Sequence, residues 1–72
     1  MNGIGWAVKE LQHGSKVRRA GWNGKGQWLA LMVPDDLAVM TAPYVYIHNA
    51  QGLNVPWNAS QGDLLALDWE IT

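Results

Sequence analysis

Residues 16–33 read KVRRAGWNGKGQWLALMV, and this stretch decides the fold. KVRRAGW (16–22) and GQWLALMV (26–33) are two extended runs, and Asn23-Gly24 stands between them. Asn-Gly is a strong short-range hairpin signal, because both residues tolerate the positive φ that a type I′ turn requires. The stretch therefore predicts a β-hairpin, with Pro34 and Asp35-Asp36 ending its second strand. A turn needs neither Lys25 nor the flanking Trp22 and Trp28, so the loop is also a candidate site. Gly24 and Gly26 would let a ligand approach the backbone closely, and Lys25 would supply a point charge for phosphate. The plainer alternative is a solvated lysine at a hairpin tip. GWNGKGQ is not a Walker loop, since it lacks the first glycine at the right distance and a Ser or Thr after the lysine.

Working outward, IGWAVKELQHG predicts a short helix over 4–13. Ile4, Val8 and Leu11 recur at helical spacing, Ala7 joins their face, and Gly14 supplies the stop. Trp6 stands off that stripe. Downstream, residues 35–42 are compatible with a turn of helix or a crossing loop. PYVYIHN (43–49) alternates, placing Val45 and Ile47 towards the core and Tyr44, Tyr46 and His48 on the opposite face. AQGLN is a turn and VPW a short edge strand. Ser60 with Asp63 three residues on is a capping-box start for a short helix, and DWEIT closes as a strand with Trp69 and Ile71 on one face. Trp28 and Trp69 read as core residues. The expected fold is α+β: one domain over 1–72, a small, mostly antiparallel sheet with an N-terminal helix and a short C-terminal helix.

Seventy-two residues give a marginal core, because a chain this short buries only about 60% of the surface exposed when unfolded. With no cysteine, disulfides and thiolate metal sites are excluded. His13 and His48 lie in no ligand-spaced motif, so no metal or cofactor is implied. Oligomerisation is then the remaining staple for so small a domain. No apolar run approaches the ~20 residues that span a bilayer, and no charged-then-apolar leader is present, so a cytoplasmic location with no membrane partner is expected. All five basic residues (Lys9, Lys16, Arg18, Arg19, Lys25) precede position 26, where only Glu10 opposes them; the other acids lie downstream. That segregation predicts one positive end, suited to a small anion or to the acidic end of a neighbouring subunit. A net charge of −1 argues against general nucleic-acid binding, which needs many phosphate contacts.

VPWNAS (55–60) is the second candidate site. Trp57 offers a flat face, Asn58 an amide able to read a base or ribose, and Ser60 opens a helix. The alternative is that Trp57 plugs the core and Ser60 only caps. Trp6 is either a stacking residue or a cover over the sheet. The Tyr44/Tyr46/His48 face suits an oligomer interface, since tyrosine tolerates half-burial. Catalysis has little support: NASQ is not a nucleophile elbow, and no acid–base pair stands out by spacing.

The runs KVRRAGWNGKGQWLALMV and VPWNASQGDLLALDWEIT, in this order behind a short helix, resemble the small phage-encoded family known as Thoeris anti-defence protein two. The resemblance covers nearly the whole chain and is thinnest over 35–53. It implies a non-catalytic sponge that binds the cyclic ADP-ribose isomer signal of the bacterial Thoeris system without cleaving it, acting in the cytoplasm of the infected or lysogenic host. It also implies a homotetramer, with cyclic dinucleotides sequestered by some members at separate sites. Carried over by residue, Trp6 and Trp57 would wall the cyclic ADP-ribose pocket, with Asn58, Ala59 and Ser60 lining it. Asn23, Gly24 and Lys25 would contact phosphate or base edges of a cyclic dinucleotide. The competing readings are a protein-binding inhibitor module using the tyrosine face, and a cyclic-nucleotide hydrolase using His48, Asp63 or Asp36.

Overall fold

The computed structural model describes residues 1–72. Ile4–Gln12 form α1, followed by β1 (Val17–Arg19), β2 (Trp28–Met32), β3 (Tyr44–His48), β4 (Asn54–Pro56), α2 (Gln61–Leu65) and β5 (Trp69–Ile71). The strands make one sheet in the order β4-β3-β2-β1-β5, every neighbouring pair antiparallel. The last strand returns beside the first, so the chain ends of the sheet are joined through β1. The expected α+β class, the antiparallel sheet and both helices are all present.

α1 stops where the sequence predicts. Gly14 takes φ +90°, its N–H donates to the Leu11 carbonyl, and Ser15 N–H donates to the Glu10 carbonyl. That pair of bonds is a Schellman closure, which needs a residue free to adopt the left-handed conformation. The hairpin loop differs from expectation. Neither Asn23 nor Gly24 has positive φ; in this loop only Gly26 does, at +77°. β1 ends at Arg19 because Arg19 pairs with Trp69 on the far side, so the two hairpin strands separate early and a wide loop over 20–27 replaces a two-residue turn.

Cross-strand register assigns the faces. Val17, Leu29 and Ile47 are paired across three strands, so their side chains share one face, with Leu31, Val45 and Trp69 by alternation. α1 covers this face with Ala7 and Leu11, and the buried apolar cluster is Ala7, Leu11, Val17, Leu29 and Trp69. Val8, expected on the buried stripe, is exposed, while Trp6 packs against the cluster. Trp22 and Trp57 meet Trp69 edge-on, with centroids 5.5 and 5.9 Å away. The core is small: seven residues of the chain are buried.

One of those seven is Asp63, 8% exposed. Its Oδ1 accepts from Arg19 Nη1 at 2.9 Å and Trp22 Nε1 at 3.1 Å, and its Oδ2 accepts from Ser60 N–H at 3.2 Å. Asp63 N–H donates back to Ser60 Oγ, completing the capping box, and Trp69 Nε1 donates to the Asp63 carbonyl. Arg19 Nε also bonds Asp68 at 2.9 Å, whose second oxygen accepts from Gly21 N–H. Burial is the largest single effect on the Asp63 carboxyl and pushes its pKa up, but the bonds from Trp22, Arg19 and Ser60 together outweigh it and hold it below the usual carboxylate range. The Arg19 bond lowers the Asp68 carboxyl in the same direction.

Both edges of the sheet are partly blunted. Asn2 runs beside β5, accepting from Trp69 N–H and donating through its side-chain amide to the Trp69 carbonyl. On the other edge β4 carries Pro56, which has no N–H to offer.

Two outcomes follow from the Asp63 network. Asp63→Ala leaves Arg19 and Trp22 without their shared acceptor and should lower the unfolding free energy by about 3 kcal/mol, read by urea titration. The carboxyl pKa values of Asp63 and Asp68 are lower folded than unfolded. Their contribution is therefore complete above the unfolded value of about 3.9 and disappears as pH falls through the folded values. Stability should be lost on acidification below about pH 4, and Asp63→Asn should flatten that loss.

Candidate functional site

Two regions hold the residues singled out in the sequence. The first is the hairpin loop. Its backbone, the ends of β1 and β2, and β5 enclose an open cleft of about 380 Å³ walled by Arg18, Arg19, Trp22, Gly24, Lys25, Gln27 and Glu70 among others. That volume lies within the range of small-ligand sites. Gly24 and Lys25 line the cleft; Asn23 is exposed beside it and does not. Gln27 Nε2 donates to the Gly24 carbonyl at 3.2 Å, which holds the loop in shape where the two strands have parted.

The electrostatics differ from the expected positive end. The downstream acids fold back onto the basic strand: Glu70 accepts from Arg18 Nε at 2.8 Å, and Asp63 and Asp68 both hold Arg19. The acidic end that was expected to come from a neighbour belongs to the same chain. Lys25 forms no ion pair, so it is the one uncompensated cation on the cleft wall. A phosphate there would meet Lys25 as a point charge and Gln27 as a side-chain donor. Glu70 and Gln27 would accept from base or ribose donors.

The second region is residues 57–60 with Trp6. Trp57 follows β4, and its N–H donates to the Val45 carbonyl. It is half-buried, packed on the core cluster and edge-on to Trp69. Asn58, Ala59 and Ser60 are exposed. Ser60 is fully engaged as a cap, its Oγ accepting from Asp63 N–H at 3.1 Å. Trp6 is half-buried against the same core from α1. None of the three concavities of the chain is lined by Trp6 or by residues 57–60, so this region is a rim of aromatic and polar groups on the helix side of the sheet.

The rival catalytic residues are placed as follows. Asp63 has both oxygens engaged, Oδ1 by Arg19 and Trp22 and Oδ2 by Ser60, and is 8% exposed, which suits it to a structural role. His48 Nδ1 lies 2.7 Å from Asn54 Oδ1 on the open side of the sheet. Asp36 is an exposed residue of a turn in which Asp35 Oδ1 accepts from Leu37 N–H.

Reading the sequence residue by residue missed three wall groups, Arg18, Gln27 and Glu70. Their signal was present: segregation of basic residues before position 26 and acids after 60 is what a β1–β5 pair laced by ion pairs requires. Trp28 also lies elsewhere than expected. It pairs with His48 on the face away from the helices, because Leu29 and Leu31 take the core positions of WLALM.

The family described as Thoeris anti-defense 2-like domain matches residues 2–72. Among curated proteins, the chain is similar to "Thoeris anti-defense 2" of Bacillus phage SP01, at 35% identity over 81 aligned positions that cover 94% of this chain and 91% of the relative. The match therefore includes both candidate regions.

Ser60→Ala should cost about 1 kcal/mol through loss of the cap, with Ser60→Thr close to the parent, both read from urea midpoints. A loss several times larger would mean that Ser60 supports more than α2.

Proposed function

Because the chain belongs to the Thoeris anti-defense 2-like family, we propose that it is a phage anti-defence sponge, which captures cyclic ADP-ribose isomer signals of the Thoeris system and holds them without cleavage. The family assignment carries this reading. The site geometry supports it, since the cleft offers one free cation, amide groups and a half-buried indole, while the best-placed acid is locked in a structural network.

On this reading two ligand classes use two regions. The hairpin cleft takes a cyclic dinucleotide, with Lys25 on phosphate and Gly24, beside Asn23, allowing close backbone approach. The rim of Trp6, Trp57, Asn58, Ala59 and Ser60 takes the cyclic ADP-ribose isomer. As that rim is not concave within one chain, a second subunit supplies the opposite wall, and the assembly is a homo-oligomer such as a tetramer. No helix is long and apolar enough to cross a membrane, and the protein acts inside the host cell where the signal is made. A trap of this kind works only if its Kd lies well below the signal concentration, which favours enclosure between subunits.

The test is capture and release. The purified protein is incubated with cyclic ADP-ribose isomers and cyclic dinucleotides, freed of unbound ligand by filtration, heated, and the released compounds identified by mass spectrometry. Recovery of an intact cyclic nucleotide supports the sponge; a cleaved product means a hydrolase; an untouched panel points to a protein partner. Trp57→Ala should weaken cyclic ADP-ribose isomer binding ten-fold to over a hundred-fold, the effect of losing about 1–3 kcal/mol of base stacking. Lys25→Gln should weaken only the dinucleotides. Unchanged binding by a folded Trp57→Ala protein would remove the rim assignment.

A further inference from the structure

The chain holds Asn-Gly twice, at 2–3 and at 23–24. This dipeptide is open to self-modification, because the amide nitrogen that follows an asparagine can attack the asparagine side-chain carbonyl. Glycine hinders that approach least and gives the backbone the freedom that ring closure needs. The fold treats the two copies differently. Asn2 is fastened on three sides: its N–H donates to the Leu67 carbonyl, its carbonyl accepts from Trp69 N–H, and its side-chain amide donates to the Trp69 carbonyl at 3.2 Å. Asn23 is exposed in the hairpin loop, its side chain makes no hydrogen bond, and the Gly24 N–H donates to no acceptor in the chain. The other asparagines are followed by Ala50, Val55 and Ala59, whose side chains obstruct the attack. Gly24 is held in the sequence by packing, since a Cβ there would lie 2.9 Å from Gln27 Cδ and 3.2 Å from Ala50 Cβ. The loop therefore keeps its glycine and, with Asn23, the reactive pair.

We propose that Asn23 is a self-modification site that deamidates in the folded protein, and that the carboxylate so formed weakens anion binding at the hairpin cleft. The Gly24 nitrogen loses its proton and bonds to Asn23 Cγ, and ammonia leaves, giving a succinimide. Water then opens the ring at either carbonyl, leaving aspartate or isoaspartate. An amide has been exchanged for a carboxylic acid, with water consumed, ammonia released and no oxidant or cofactor needed. Either product adds one negative charge to the loop. Residues 23 and 25 stand at most about 7 Å apart along the backbone, within the Debye length of about 8 Å at physiological salt. Arg18 is already paired with Glu70, and Arg19 with Asp63 and Asp68, so Lys25 is the one unpaired cation of the cleft. The new acid is placed to compensate that cation and to repel a phosphate. Isoaspartate also inserts a methylene into the main chain next to Gly24, which lines the cleft. The grip of the cleft then declines with the age of the molecule. This consequence rests on the dinucleotide reading of the cleft; the modification itself does not.

The test ages the purified folded chain at mildly alkaline pH and maps its peptides by mass spectrometry, with Asn23→Ser as the chain that cannot react there. Exchange of amide for acid should run roughly ten-fold or more faster at Asn23 than at Asn2, which must first break its hydrogen bonds, and the gap should close in urea. Equal rates at the two sites in the folded protein overturn the modification. Samples of the same series are titrated with cyclic di-AMP and cyclic di-GMP at low salt. Binding by the parent should weaken in step with the modified fraction, while aged Asn23→Ser keeps its own starting affinity. Asn23→Asp should bind roughly three-fold more weakly than the parent, with a deficit that shrinks as salt rises. Parental binding by Asn23→Asp, or an ageing loss shared by Asn23→Ser, overturns the effect on the cleft. A parent that binds neither dinucleotide removes the cleft reading and this effect together, and the peptide map still decides the modification.

Discussion

The carboxylate of Asp63 is the group on which the rest of this small structure depends. It gathers Arg19 from β1, Trp22 from the hairpin loop and Ser60 from the start of α2, while its own carbonyl takes the Trp69 indole. Three stretches of the chain, 19–22, 60–63 and Trp69, therefore meet at one residue. A buried carboxylate is costly unless it is paired and hydrogen-bonded, and here three donors, one of them a guanidinium, hold it. The consequence is specificity of arrangement more than raw stability. Slipping β5 by one residue along β1 would strand Arg19, Asp63 and Asp68 together.

That network also explains the electrostatics of the hairpin cleft. Two arginines that would make a broadly positive surface are consumed by acids from the far end of the chain, and Lys25 is left as the free charge. A cleft of this kind would offer a phosphate one unpaired cation, with neutral donors and acceptors around it. It has little appeal for a polyanion, whose binding scales with the number of phosphates neutralised.

Much of this was legible in the sequence, because short elements with sharp signals leave little choice. Gly14 had to stop α1, Ser60 with Asp63 had to start α2, and the alternation of Val45 and Ile47 against Tyr44, Tyr46 and His48 fixed the faces of β3. The same alternation in WLALM places Trp28 outside; reading tryptophan as core by type instead of by phase produced that error. The hairpin loop was misread for a different reason. Asn-Gly is a local signal, and the β1–β5 pairing that opens the loop is a contact between residues some fifty positions apart. Which acid would meet which arginine was equally non-local. Residues 35–42 gave no clear signal and form no helix or strand; Leu37 and Val39 there are 94% and 96% exposed, beside an apolar hollow of about 320 Å³. Of the candidate site residues, Gly24 and Lys25 were brought to one concavity, whereas Trp6 and Trp57 share a side of the sheet and no cavity.

The blunted edges of the sheet bear on how much of this protein a cell could hold. If the protein works by capture as proposed, one signal molecule per site, it must accumulate to match its quarry, and crowded β-proteins are prone to join strand to strand into open-ended aggregates. Asn2 beside the start of β5 and a proline in β4 weaken both templates for such growth. Blunted edges let such a chain be plentiful with less risk of joining strand to strand.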